Sequence, residues 1–338
     1  MKALRLTRRD LLGGGLAALA AGGEVGAFAL PAWKPERLPP PRGRYLDRDG
    51  TIGVVGTAIM RPMVERLCDR FAAANPGYRF RLDMRPGLMA IGAITHGTTP
   101  FAPMPREFSD MEAIPYRRIV GADPLALRVA HGSVVARDRT AVLALYVHRA
   151  NPVCGLTLDQ AARIFTTGHR AGDITHWGQL GLDGEWAQRP IDPVGTPEDT
   201  GFGSYMVREK MGGFPLSPRM TIRSVSKEVL QLVDQNVGAI AYAAVNFDTP
   251  NSRTLPIAEH ANAAFVAPTE EAVRAGLYPY DRFVYFYLRQ VPGEGIEPWI
   301  RSYMRLALSR EGQQIIGAEA GSFLPLNDTE AARELRRF

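Results

Sequence analysis

The alternation of strand-like and helix-like stretches in residues 51–97 constrains the fold more than any other feature. "TIGVVG" is a short apolar run. "AIMRPMVERLCDRFAAANPG" follows, with apolar residues at helical spacing and a stop at Asn75-Pro76-Gly77. "YRFRLDM" alternates apolar and polar residues, as a strand with one buried face does. "GLMAIGAITHG" reads as a second, short helix closed by glycine. This β-α-β-α order points to an α/β layer.

The pattern continues along the chain. "RIVGADPLALRVAHG" and "AVLALYVHR" read as strands, and "NPVCGLTLDQAARIFTTG" as a turn and a helix. "IDPVG" is a short strand, "SKEVLQLVDQNVG" a helix, "AIAYAAV" a buried strand and "TEEAVRAG" another helix. "RFVYFYLRQV" is a strand, and "EPWIRSYMRLALSREGQQIIGAEAG" closes as one or two helices. The 338 residues, 46% of them hydrophobic, suffice for two domains or one split domain.

The N-terminus carries a local signal of its own. Thr7-Arg8-Arg9-Asp10-Leu11-Leu12 matches the twin-arginine export pattern, a polar residue and two arginines before a hydrophobic stretch. Gly13-Gly14-Gly15 and Gly22-Gly23 are poor for a stable soluble helix, and Glu24 interrupts a segment already short for a membrane anchor. Ala27-Phe28-Ala29 offers a small-x-small cleavage site. Residues 1–29 are therefore expected to be a signal peptide cleaved near Ala29, and 30–49 an extended Pro- and Arg-rich lead-in. No cysteine precedes Cys68, so no lipid-modified cysteine is expected and the product should be free in the periplasm.

Composition and motifs exclude several other classes. The net charge is +5, with acids interspersed among the basic residues and no run of five like charges, so nucleic acid is not an expected partner. Cys68, in "VERLCDRF", belongs to the inner face of a helix; Cys154, in "NPVCGL", belongs to a loop. Export would permit a disulfide, but two free thiols are the expected state. The histidines form no His-Glu-x-x-His pair, the cysteines no Cys-x-x-Cys, and "GFGSY" does not meet Gly-x-Ser-x-Gly. His169 and His176 read as solvated or capping residues. No enzyme activity, metal or cofactor is expected.

Several blocks together resemble the phosphate-binding-protein family of periplasmic solute receptors, the soluble partners of ABC importers. "NPVCGLTLDQAARIFTTG" is similar to the family's Asn-Pro…Leu-Thr-x-x-Gln…Ile-Phe-x-Gly segment, "ITHWGQLGLDGEW" to its Trp-Gly-x-Leu segment, and "VGAIAYAAV" to its Gly-x-Ile-Gly-Tyr strand. "FVAPTEEAVRAGLYPYDRFVYFYL" and "LALSREGQQIIGAEAGSFLPL" resemble its closing segments. The resemblance spans residues 50–328. It implies a bilobal periplasmic-binding-protein fold, two α/β lobes joined by two hinge strands. Lobe one would comprise 50–147 plus 284–338 and lobe two 148–283, with "AVLALYVHR" and "RFVYFYLRQ" as the hinge strands. It further implies a monomer that holds a small anion such as phosphate between its lobes and delivers it to an ABC permease. The alternative is a divergent receptor-fold protein used in sensing, adhesion or scaffolding.

In that family three loops supply donors to the anion. The first resembles Gly-x-Thr-aromatic and falls on Gly56-Thr57-Ala58-Ile59, which keeps a hydroxyl at Thr57, as ligand or helix cap. The second falls on Arg85-Pro86-Gly87-Leu88-Met89; its serine is gone, and Gly87 retains a backbone amide. Downstream, Pro105 takes the place of an aspartate or serine, and Pro has no N–H and no polar side-chain atom. Arg106 keeps an arginine found in one variant of the family. The third loop falls on Thr196-Pro197-Glu198-Asp199-Thr200-Gly201-Phe202. Thr196 replaces an arginine and Phe202 a threonine, while Thr200 and Gly201 are kept. Glu198 and Asp199 would oppose a dianion unless they turn to solvent. One lost charge-assisted hydrogen bond costs about 1.5–3 kcal/mol, roughly tenfold to more than a hundredfold in affinity. The fold and the ligand thus separate: the expected ligand is phosphate or an altered small molecule, gripped through Thr57, Gly87, Arg106, Thr196, Thr200 and Gly201.

Overall fold

A computed structural model of the chain describes residues 30–85, 89–135, 140–247, 249–318 and 323–338. The expected signal peptide and Gly87 lie outside the described residues.

The opening β-α-β reading corresponds to a parallel pair. Ile52–Thr57 runs beside Phe80–Arg85, in register from Ile52↔Phe80 to Thr57↔Arg85. The crossover helix Arg61–Ala74 turns Met63, Val64, Leu67, Cys68 and Phe71 inward, at the spacing that stacks side chains on one helical face. It stops at Asn75, whose side-chain amide bonds back to Phe71 O, before Pro76-Gly77. Phe101–Met104, Phe283–Leu288 and Leu125–His131 form an antiparallel sheet in that order, with Phe283–Leu288 central. These five strands and the helices packed on them make the first unit. Its core is aromatic: Phe71 lies within ring contact of Trp33, Tyr78, Phe80, Trp299 and Tyr303. Trp33 ties the lead-in to this core, because it is 8% exposed despite belonging to a stretch without regular structure.

The second unit is built on a five-stranded sheet. Its order is Ser252–Leu255, Leu143–His148, Ala239–Ala244, Asp192–Gly195 and Thr221–Ile222. The first two pairings are antiparallel and the last two parallel. Leu158–Phe165 and Ser226–Gln235 cover it. Thr157 and Gln160 start the former as a reciprocal capping box, each side chain taking the other's backbone amide. Ala239–Ala244 is buried along its whole length, as its all-apolar sequence requires.

Two chain passages join the units. The first lies between His131 and Leu143 and the second between Tyr280 and Phe283. They run side by side: Gly132 N donates to Arg282 O at 2.6 Å and Leu143 N to Tyr280 O at 3.4 Å. Leu143–His148, expected to be a hinge strand, lies inside the second unit's sheet, because Leu143 to Val147 pair with Ala244 to Ile240. The passage precedes it.

A second difference concerns "RIVGADPLALRVAHG". Its first residues close a helix, Asp110–Val120, and the strand begins only at Leu125. Pro115 inside that helix masks the helical pattern in the sequence. The Glu112 carboxylate holds its start by accepting from Ser109 N at 2.7 Å, and Gly121 ends it with φ 87°. The closing stretch is two helices, Pro298–Ala307 and Arg310–Gly317, followed by a third, Asp328–Leu335. Both cysteines are free, Cys68 buried and Cys154 exposed.

Candidate functional site

A cleft of about 240 Å³ opens between the units beside the second passage. Its lining includes Thr57, Arg106, Thr196, Thr200 and Gly201, together with Pro105 and Phe202, so residues far apart in the sequence converge on one space. Thr57 ends the strand Ile52–Thr57 and stands before a short 3₁₀ turn; its side chain makes no capping hydrogen bond there. Thr200 is different. Its hydroxyl donates to Pro197 O at 2.6 Å and accepts from Gly203 N at 3.1 Å, which makes it the N-cap of Gly201–Tyr205. Thr196 is 2% exposed, and its Oγ1 lies 3.3 Å from Thr200 Oγ1. Glu198 and Asp199 are exposed and are not among the lining residues, so the acids of this loop turn away from the cleft.

Local packing explains why the loop takes this path. A Cβ on Gly203 would fall 2.0 Å from Pro197 O, and one on Gly195 2.4 Å from the Tyr242 ring. Only glycine permits either approach. The Tyr242 hydroxyl donates to Thr196 O at 2.9 Å and fixes the start of the loop. Across the cleft, a Cβ on Gly201 would stand 3.4 Å from Arg106 Cδ, which shows how closely the two units' loops approach.

Arg106 reaches the cleft already paired. Its Nη1 and Nη2 bond the two Glu112 oxygens at 2.8 and 2.6 Å, and Nη1 also donates to Glu107 O. Burial of Glu112 opposes its ionisation, but hydrogen bonds from Arg106 and Ser109 outweigh this and hold its pKa below the usual carboxylate value. The same hydrogen bond to Glu112 raises the Arg106 pKa.

Arg282 was not among the residues singled out from the sequence. It lines the cleft from the second passage and is 2% exposed. Its guanidinium lies 5.2 Å from the Phe202 ring centroid and 5.0 Å from that of Tyr205. Nη2 reaches Gly201 O at 3.3 Å and Glu107 Oε2 at 3.4 Å, so one side chain touches both units. Its Nε is buried without a hydrogen-bond partner among the described residues. That N–H is a buried polar group left unsatisfied next to the cleft. Tyr205 anchors this segment by donating its hydroxyl to Asp281 O. The sequence did carry a trace of the role: "YDRFVYFYL" places adjacent charges against an apolar strand. Thr140 and Ser224 also line the cleft and were not anticipated.

Beside the cleft, His131 is fully buried between two carboxylates. Its Nδ1 lies 2.6 Å from Asp281 Oδ2, and its Nε2 is 3.0 Å from Glu330 Oε2, close enough for an ion pair but not aligned as a hydrogen bond. Burial alone would lower its pKa; the two carboxylates overcome this and raise it to about 9. The donor atoms of His131, Asp281 and Glu330 all lie within 4.8 Å of one another, a spacing that could also hold a metal ion. The arrangement is an ion-pair triad tying the passages to helix Asp328–Leu335.

Comparison with known proteins agrees with this architecture. A profile described as the PBP superfamily domain matches residues 47–311. The phosphate-binding protein PstS of Pseudomonas aeruginosa is 28% identical over 286 residues, 84% of this chain and 86% of that protein. Among solved structures, an ABC-type phosphate transport receptor from Vibrio cholerae has a TM-score of 0.51 at 17% identity, covering 81% of this chain and 99% of its own. PstS from Borrelia burgdorferi has a TM-score of 0.51 at 15% identity, covering 82% and 99%. The two structures share the bilobal fold, and the profile spans most of the chain. With its paired α/β units, double passage and interlobe cleft, the chain belongs to the PBP superfamily.

Proposed function

We propose that this protein is an exported solute-binding protein of an ABC importer, which takes a small anion between its two units and acts by binding and closure, not by catalysis. The observation that carries this reading is Arg282: a buried guanidinium that lines the cleft from the second passage, where the described lining residues include no carboxylate. Hydroxyls of Thr57 and Ser224 add donors on opposite walls. The relatives' names associate them with phosphate and, for the Vibrio protein, ABC-type transport. An anion held by groups from both units favours their closed arrangement, and closure is a state that a permease can sense. Arg208 of the second unit already pairs with Asp110 of the first, a contact that closure would favour.

Delivery to the periplasm by the twin-arginine route, cleavage near Ala29 and a monomeric product complete the reading. No helix among the described residues is long and apolar enough to cross a membrane. A thermal-shift screen against phosphate, sulfate, molybdate and small organic anions tests the proposal. A ligand at a hundred times its Kd stabilises by about 2.7 kcal/mol, a rise of several degrees in Tm. A melting temperature unmoved by every anion would contradict it.

A further inference from the structure

The charge balance and the wall of the cleft carry a statement about the ligand's class. The two arginines that line it face two carboxylates. Arg106 is bound bidentately by Glu112, and Arg282 lies 3.4 Å from Glu107. Among the described residues, no lysine lines the cleft. Among the described lining residues the guanidinium charges are thus largely matched before a ligand arrives, Arg282 less tightly than Arg106, and a second negative charge on the ligand meets no further cation there. Among the described residues the lining also lacks a carboxylate that could accept a hydrogen bond from a protonated oxyanion. Pro105 stands in the wall and offers neither donor nor acceptor from its side chain. Inorganic phosphate near neutral pH brings both a residual proton and, in large part, a second charge.

The remaining wall is apolar. Ala58, Ile59, Pro105 and Phe202 line one part of the space, and Phe202 is held in place under the Arg282 guanidinium. At about 30 Å³ per water, the volume of about 240 Å³ holds roughly eight water-sized groups, more than the five heavy atoms of phosphate or sulfate fill.

We infer that the ligand is an organic monoanion, a carboxylate or sulfonate carrying a short apolar body. Its head meets the Arg282 guanidinium and the Thr57 hydroxyl, and its body lies against Ile59, Pro105 and Phe202. This rests on the anion-binding reading of the same cleft.

Calorimetric titration of the protein with propane-1-sulfonate, butyrate, phosphate and sulfate tests the inference without any variant. The expected result is that both organic anions bind at least tenfold more tightly than either inorganic ion. Phe202→Ala should then weaken the organic anions by about fivefold or more, and sulfate by a smaller factor. Pro105→Asp, which adds a carboxylate to the wall, should weaken all singly charged ligands. Phosphate or sulfate binding as tightly as the organic anions would overturn the ligand class and leave the anion site standing. Absence of binding by all four, in protein that unfolds cooperatively, would overturn both.

Discussion

The His131 triad makes stability depend on pH in a window that can be calculated. The His131 side chain is fully buried and its pKa is raised from 6.5 to about 9. Each pKa unit corresponds to about 1.4 kcal/mol, so the shift amounts to about 3 kcal/mol. Because the folded pKa exceeds the unfolded one, this stabilisation is fully present below pH 6.5 and is lost as pH rises through about 9. Asp281 has its pKa raised by burial, against the opposing hydrogen bond and charge of His131, and the two groups titrate as a pair. The comparison to make is therefore between the native protein and His131→Gln, with urea midpoints taken at intervals from pH 6 to pH 9.5. The native protein should lose about 3 kcal/mol relative to the variant across that range. Parallel stability curves for the two proteins would refute the triad as an ionised cluster.

Three further outcomes follow from packing and capping. Thr200→Ala removes the hydroxyl that accepts from Gly203 N and donates to Pro197 O, and should cost about 1 kcal/mol, a fall of roughly 2–4 °C in Tm by calorimetry. Phe71→Ala empties the centre of the first unit's aromatic cluster, where the ring is fully buried, and should cost about 3–5 kcal/mol in denaturant unfolding. Thiol titration should find Cys154 reactive in the native protein and Cys68 reactive only after unfolding, since Cys68 is 3% exposed and burial pushes its pKa up to about 12.

What could be read from the sequence was local. The helix Arg61–Ala74 announces itself through the spacing of Met63, Val64, Leu67, Cys68 and Phe71 and through the Asn-Pro-Gly stop. Ala239–Ala244 declares its burial by having no polar side chain except the Tyr242 hydroxyl. What could not be read depends on partners distant in the chain. Leu143–His148 looks like any apolar strand, and only its pairing with Ala239–Ala244 assigns it to the second unit. Helix Asp110–Val120 was hidden by Pro115, which tertiary packing tolerates and periodicity does not.

The site divides in the same way. Thr57, Arg106, Thr196, Thr200 and Gly201 were singled out through the family resemblance, and the fold brings them to one cleft. Their local engagements were not legible: the Thr200 hydroxyl is committed to capping and Arg106 to Glu112. Arg282 is not legible in the sequence because its contacts exist only where the second passage meets Phe202, Tyr205 and Glu107.

The central claim is that the cleft holds a small anion through Arg282. Calorimetric titration of the native protein and of Arg282→Met with the tightest anion from the thermal screen tests it most directly. One molecule should bind per chain, and the variant should lose about tenfold to a hundredfold in affinity, the worth of a charge-assisted hydrogen bond. Equal affinity in the two proteins would contradict the account.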